Sequence, residues 1–341
     1  MRVLLDTRVL GLPGVGETGV GRYAACLREG LRRLAGEDRS FELRVLERAR
    51  RPPAPGRFAE AWEHPLLRRD ARRAGADVVH APSLELLSLW PGAPLCVTVH
   101  DLVPLKHPER YLRTGLKHRL RYAAARRAAR LIVPSAVVGL DAERLLGVPP
   151  SRITVIAEAA APVFRPVERP REALQRLDLP ERFLLWVGHL DPPDPRKGIA
   201  HVAALARERD GLPLVLAGAV SAEAGGLAAP GRVTLTGRVS DEELAALYTA
   251  AGAVLLPSDD EGFGLPAVEA LACGTPVAAY GAGALPELLA GVDATALVIP
   301  GDAAGLLDAA EALAGRRAEP LARSWDDVAR ETAAAYRETL G

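Results

Sequence analysis

Short apolar runs recur along the chain at residues 2–6, 41–46, 77–80, 95–101, 130–134 and 151–156, and again at 183–187, 214–217, 251–256 and 276–280. Runs of this length, without strict alternation and bounded by polar, glycine or proline residues, read as strands buried on both faces of a parallel sheet. Between them the apolar period changes to that of a helix at 22–35, 110–130, 266–273 and 324–340, and the stretch from Val233 reads as a strand running into a helix. Strand and helix in alternation predict an α/β architecture.

Local signals sharpen several boundaries. Pro266 suits a first helical position and Gly274 the residue just past a helix end. Ser240 with Glu243 three residues on is a capping box, and Ser135 is a further candidate cap. The Ala/Pro-rich stretch 157–170 has no hydrophobic period and reads as an interdomain linker. Length agrees, since single cores stop growing near about 250–300 residues and this chain has 341. The expected domains are 1–165 and 170–325. The Pro/Arg-rich stretch 50–57 carries no readable chemistry.

Composition narrows the function classes. Apolar content of 49% supplies two cores. Cys26, Cys96 and Cys273 stand in unrelated contexts, which argues against a disulfide framework or a cysteine zinc site and for a reducing compartment. The first residues are a strand interrupted by an acid rather than a leader, and no apolar run approaches the roughly 20 residues of a membrane span. The expectation is a soluble, cytoplasmic protein. Asn is absent and Gln175 is the one glutamine, a pattern that heat adaptation or biased genome composition would produce. Net charge is zero, yet residues 1–150 carry 26 basic against 16 acidic side chains, and residues 151–341 carry 17 against 27. The first half should therefore attract anions. With only 4% aromatics and no basic stripe interleaved with them, nucleic acid is not the expected partner. The stretch 110–130 holds eight basic residues and no acid, with Leu112, Leu116, Leu120 and Ala123/Ala124 at helical spacing, and predicts a basic amphipathic helix suited to an anionic membrane surface or to solvent.

The densest chemistry lies at 257–276. An apolar strand ends in a loop with Glu261, Gly262, Phe263 and Gly264, then a short helix carrying Leu265 and Glu269. Free amides at a helix start make an anion-attracting nest beside a carboxylate. Glu261 and Glu269 are eight residues apart, roughly 12 Å along an ideal helix, wide for a hydrolytic pair of about 5–9.5 Å. Each is better suited to grip a different part of one long ligand. This stretch resembles the E-x7-E signature of the retaining GT-B glycosyltransferases, the large family that includes bacterial mannosyltransferases and sucrose synthases. The resemblance implies that Glu261 contacts the transferred sugar and Glu269 the ribose of the nucleotide.

Further segments extend the resemblance over nearly the whole length. Residues 14–19 match G-x-G-x-x-G, but eight residues after a strand rather than immediately, which argues against a dinucleotide site. The stretch Thr18 to Tyr23 is similar instead to the family's glycine loop, with Gly19 and Gly21 allowing backbone to approach a diphosphate and an acceptor. His80 and His100 each end a strand, where α/β sheets place ligand groups; the run 97–104 resembles the family segment whose histidine, here His100, hydrogen-bonds the sugar. The loop 188–198 resembles the family's phosphate clamp. Lys197 matches its lysine, His189 stands where the family has arginine, the loop is about two residues longer, and Arg196 is the candidate for the second charge. The turn at Arg238 and Val239 is the counterpart of the segment that reads the base.

The resemblance implies two doubly wound Rossmann-like domains facing across a cleft, with helix 326–341 returning to the first. It implies a nucleotide-sugar donor on the second domain, GDP-mannose favoured and a UDP-sugar next, and a glycan, lipid-linked or other anionic acceptor on the first. His100, Glu261, Lys197 and Arg196 would carry front-face transfer without metal or other cofactor. Two other readings stand beside it: a sugar-nucleotide epimerase of the same fold, which would want further acids around the sugar, and a non-catalytic nucleotide-sugar binder.

Overall fold

The computed structural model describes residues 1–12, 14–47, 63–87, 89, 91–111, 115–190, 194–222 and 224–341; the stretch 50–57 lies outside them. Among the described residues, two six-stranded sheets are wholly parallel. The first contains β1 (Arg2–Asp6), β2 (Glu42–Leu46), β3 (Val78–Ala81), β4 (Leu95–Thr98), β5 (Arg130–Val133) and β6 (Ile153–Val155), in the order β2-β1-β3-β4-β5-β6. The second contains β7 (Leu184–Val187), β8 (Leu214–Ala217), β9 (Val233–Gly237), β10 (Ala253–Leu256), β11 (Val277–Tyr280) and β12 (Thr295–Val298), in the order β12-β11-β10-β7-β8-β9. Each order reverses direction once, between β1 and β3 in the first sheet and between β7 and β10 in the second. Such switch points open a crevice at the carboxyl ends of the strands, where ligands bind.

The chain divides into two units, residues 1–159 with 324–341, and residues 160–323. In the first, neighbouring residues of one strand face opposite cores, as pleating requires. Leu4, Val79, Val97 and Leu131 point to one side, against Leu67, Tyr122, Ala125 and Leu146. Val3, Leu5, Val78, Cys96 and Ile132 point to the other, against Tyr23, Leu27, Trp325, Val328 and Tyr336. The helix Trp325–Leu340 thus completes that second core. It lies on the helix Gly19–Glu37, where a side chain at Gly30 would stand 2.7 Å from the Trp325 carbonyl oxygen. His80, fully buried, ties this helix to the sheet: Nδ1 is 2.6 Å from the Tyr336 hydroxyl and Nε2 is 2.9 Å from Thr98 Oγ1. Burial pushes its pKa down to about 3, with the charge of His100 acting the same way, so the ring is neutral. Cys96 and Cys273 are buried as well, and burial raises their thiols to about 11 and about 12, which leaves them inert.

Several elements differ from the sequence reading. The helix expected at 22–35 begins at Gly19, so Gly19 and Gly21 sit in its first turn rather than in a loop. β12 and the helices Glu63–Ala74 and Ala303–Leu313 are additions to the expected elements: β12 is only four residues long, Glu63–Ala74 is half charged, and the alanine-rich Ala303–Leu313 fits several periods equally. Stretch 157–170 is not a solvated linker. Glu158 and Ala159 are buried in the first unit, while Ala161 and Phe164 are buried in the second, the Phe164 ring edge-on to Tyr248. The basic stretch forms the helices Pro108–Tyr111 and Gly115–Arg127. Of the expected stripe Ala124 is buried, but Leu120 is 44% exposed, whereas Arg121 is buried and paired with Glu85 at 2.7 Å, beside buried Tyr122 and Ala125. Leu112 and Arg113, and the side chains of Arg110, Leu116 and Lys117, lie outside the described residues.

Candidate active site

At the switch point of the second sheet, the loops after β7 and β10 are locked together by backbone. Gly198 has φ +62°, and a Cβ there would stand 2.1 Å from the Pro257 carbonyl oxygen, so only glycine permits the approach. The Asp259 amide donates to the Arg196 carbonyl at 2.8 Å. Lys197 is thereby set against Glu261, Nζ donating to Oε1 at 2.5 Å, and Ser258 Oγ donates to the same oxygen at 2.8 Å. The Glu261 side chain is 10% exposed and that of Lys197 31%. Behind Glu261, Gly283 at φ +57° passes so near that a Cβ would meet the Glu261 nitrogen at 2.4 Å, and the Ala284 amide donates to the Glu261 carbonyl at 2.9 Å. The acid is held by main chain on two sides while its pairing group retains access to solvent.

The other expected donor-side residues are placed as follows. Arg196 turns back on Asp194, with Nε at 3.2 Å and Nη2 at 2.5 Å from its two oxygens. Burial pushes the Asp194 carboxyl up, but hydrogen bonds from the Arg196 side chain and amide and the charge of Lys197 outweigh it and hold the carboxyl below its usual range. Arg196 is therefore engaged by an acid of its own loop. His189 is exposed just past β7, and Arg238 is exposed and Val239 half-buried just past β9. Gly262 and Leu265 are half-buried; Phe263 and Gly264 are buried, Gly264 at φ +103° before the helix Leu265–Ala272. Glu269, 1% exposed, accepts from the Tyr248 hydroxyl at 2.9 Å, on the side of that helix facing the helix Asp241–Ala250. The geometry therefore brings together Lys197 and Glu261, and adds Ser258, whose only sequence signal was its place three residues before Glu261 at a strand end.

In the first unit His100 lies two residues past β4, its ring edge-on to Tyr23 with centroids 4.7 Å apart. Nε2 is 2.9 Å from the Pro82 carbonyl oxygen and Nδ1 is 3.0 Å from Glu158 Oε1. Burial alone would push this imidazole down; the hydrogen bond and charge of Glu158, with the Pro82 carbonyl and the Asp101 charge, raise it above its ordinary value. Both ring nitrogens are thus already engaged, a difference from the expectation that one is offered to a sugar. The ring forms part of a cavity of about 140 Å³ lined also by Val20, Ser83, Glu85, Asp101 and Arg121. Gly21 has a packing role nearby, since a Cβ there would stand 2.0 Å from the Gly16 carbonyl oxygen. Among the described residues, no group of three or more His, Cys, Asp or Glu side chains is arranged to hold a metal ion.

Two family models match the chain, "Glycosyltransferase Family 4" over residues 18–159 and "Glycosyl transferases group 1" over residues 181–316. The D-inositol 3-phosphate glycosyltransferase of Mycobacterium tuberculosis is 33% identical over 285 residues, which cover 73% of this chain and 57% of that protein. The chain thus spans little more than half the length of this curated relative. Among solved structures, a sucrose-phosphate synthase from Thermosynechococcus elongatus superposes with a TM-score of 0.71 at 24% identity, covering 100% of this chain and 96% of that one. Anabaena Alr3699/HepE in complex with UDP and glucose superposes with a TM-score of 0.66 at 20% identity, covering 99% and 95%. The two family matches take in the loops that carry His100, Lys197 and Glu261, and the chain belongs to the glycosyltransferases of group 1 and family 4, with the GT-B fold.

Proposed function

We propose that the chain transfers a sugar from a nucleotide-sugar donor to an acceptor hydroxyl with retention of configuration and without a metal ion. The observation that carries this reading is the Lys197–Glu261 pair at the switch point between β7 and β10. A lysine bound only to a carboxylate at a strand end is exchangeable: a donor diphosphate offers Nζ two anionic partners, and Glu261, released, accepts a sugar hydroxyl. The helix Leu265–Ala272 begins four residues past Glu261, and the positive end of its dipole is a second source of charge for the diphosphate. As the bond from the anomeric carbon to the phosphate oxygen breaks, its electron pair stays on the diphosphate, where Lys197 and the helix start offset the growing charge. The acceptor oxygen bonds to the same face of that carbon and its proton passes to the departing phosphate.

Arg196, His189, Arg238 and Val239 serve the donor at its phosphates and base in this reading, and Glu269 the ribose once Tyr248 yields it. The sugar is mannose from GDP-mannose on the likeness of the 97–104 segment, with UDP-glucose as the second donor because a fold neighbour binds UDP and glucose. The basic excess of residues 1–150 and the phosphorylated acceptor in the relative's name favour an anionic acceptor, held at the cavity beside His100. Exposed Leu120 among exposed Arg119, Arg126 and Arg127 suits peripheral contact with an anionic membrane carrying such an acceptor; no described helix is long and apolar enough to cross one. The test is a thermal-shift screen of GDP-, UDP- and ADP-sugars with and without chelator, followed by product detection with the stabilising donor. One nucleotide class should stabilise, unaffected by chelator. Stabilisation without transfer to any phosphorylated polyol or glycan would leave a binding protein, and stabilisation abolished by chelator would overturn metal independence.

A further inference from the structure

Glu158 is the least expected charged group in the first unit. It follows β6 by three residues, is 3% exposed, and lies in a stretch whose sequence reads as a linker. Its Oε1 is bound to His100 Nδ1 at 3.0 Å, and its Oε2, also buried, has no hydrogen-bond partner. An ionised carboxylate left half-satisfied in the interior is costly unless a full positive charge faces it. The opposite ring nitrogen settles the protonation of that side. A carbonyl oxygen can only accept, so the contact of Nε2 with Pro82 places a proton on Nε2. A carboxylate at Nδ1 then places a second proton there, and the ring is charged.

We propose that Glu158 is a positioning residue which holds His100 as an imidazolium, with both N–H groups committed to the protein and one ring orientation fixed at the cavity wall. The groups around the ring fit this state. Asp101 adds negative charge on the same loop, Glu85 and Arg121 across the cavity are paired with each other, and His80 is kept neutral by burial and so adds no positive charge. Tyr23 packs edge-on to the ring and its hydroxyl is bound to Thr98, 3.0 Å away, so it supplies no competing acceptor at His100. The consequence is chemical. A ring with no free lone pair cannot take the acceptor's proton, so His100 is not the general base of the transfer and that proton must leave with the phosphate. This consequence rests on the proposed transfer reaction; the protonation state of His100 does not.

The experiment is a two-dimensional NMR titration of the full chain labelled with 15N-histidine, from pH 5 to pH 9, with the His100 signals identified by their loss in His100→Gln. In the wild type both ring nitrogens should show protonated shifts at pH 7, with a midpoint above the free value of about 6.5. Glu158→Gln keeps the size but loses the charge, and the midpoint should fall so that the protonation constant drops about tenfold or more; Glu158→Asp should restore part of it. A neutral His100 at pH 7 in the wild type, or the same midpoint in Glu158→Gln, overturns the proposal. Should the glutamine variant fail to fold, the wild-type shifts and the aspartate variant decide alone. Where transfer is detected, Glu158→Gln should lower kcat with donor KM unchanged, and a rise in donor KM with kcat unchanged would count against it. A wild type that shows the imidazolium but transfers nothing sinks the transferase reading and leaves this one standing.

Discussion

Both sheets end in an acid bound to a cation, but the two pairs are built for opposite ends. Lys197 and Glu261 meet at a strand-order reversal, with the lysine about one-third exposed and the loops pinned by backbone contacts at Gly198 and Gly283. Glu158 and His100 meet away from the reversal, across the carboxyl end of β5, with the acid shut inside and both ring nitrogens occupied. Where the frame is rigid and the cation reachable, a pair can open to admit a ligand. Where the acid is buried without a second donor, opening would strand a charge, and the pair is a fixture.

The largest test of this contrast is removal of the exchangeable pair. Lys197→Ala and Glu261→Ala should each lower turnover about 100- to 1000-fold, as loss of a charge-stabilising group does, while the unfolding midpoint in urea moves little; unaltered turnover in both would remove the pair from the chemistry. Next comes the frame. Gly198→Ala forces a side chain onto the Pro257 carbonyl at positive φ and should cost about 3 kcal/mol of stability, read from urea unfolding; a change below about 0.5 kcal/mol would show that the loops are not locked there.

Smaller again is the effect of acid on the first unit. His80 has a folded pKa of about 3, below its unfolded value of about 6.5, so the unfolded chain takes up the proton first and stability falls as pH drops between them. Between pH 7 and pH 5 this amounts to about 2 kcal/mol, measured as the difference between wild type and His80→Gln across pH. His100 acts with the opposite sign. Its raised folded value adds stability that is full below about pH 6.5 and is lost as pH rises through the folded value. Tyr248→Phe, which takes the hydroxyl from buried Glu269, should cost about 1.5 kcal/mol and should not weaken donor binding. The least is expected of Arg33→Ala: its pair with Asp326 is half exposed on both sides and should be worth under about 0.5 kcal/mol.

The strands that position the site were legible because buried parallel strands are apolar throughout and stop abruptly, as β4 and β10 do. Glu261 and Lys197 stood out through the resemblance of the glycine-bearing loops after β10 and β7 to the family's motifs. What escaped the reading depended on partners far along the chain. Arg196 reads as a free cation until Asp194 is seen to close on it. Glu158 reads as part of a linker because the stretch around it lacks period, and its histidine is 58 residues away. Leu120 and Arg121 exchanged places for a similar reason: leucine spacing marks one face, but the face that packs on the core is that of Tyr122, Ala124, Ala125 and Ala128, and Arg121 is accepted beside it by pairing with Glu85.

The first unit is discontinuous, drawing its second core from segments on either side of residues 160–323, and that sets an order on biosynthesis. Trp325, Val328 and Tyr336 leave the ribosome after residues 160–323, so the part of the sheet face they cover stays open to water while that contiguous unit is made and can fold. The unit begun before residue 160 is therefore completed only after the unit it encloses, and the nascent chain carries part of an apolar sheet face uncovered for as long as the intervening unit takes to appear.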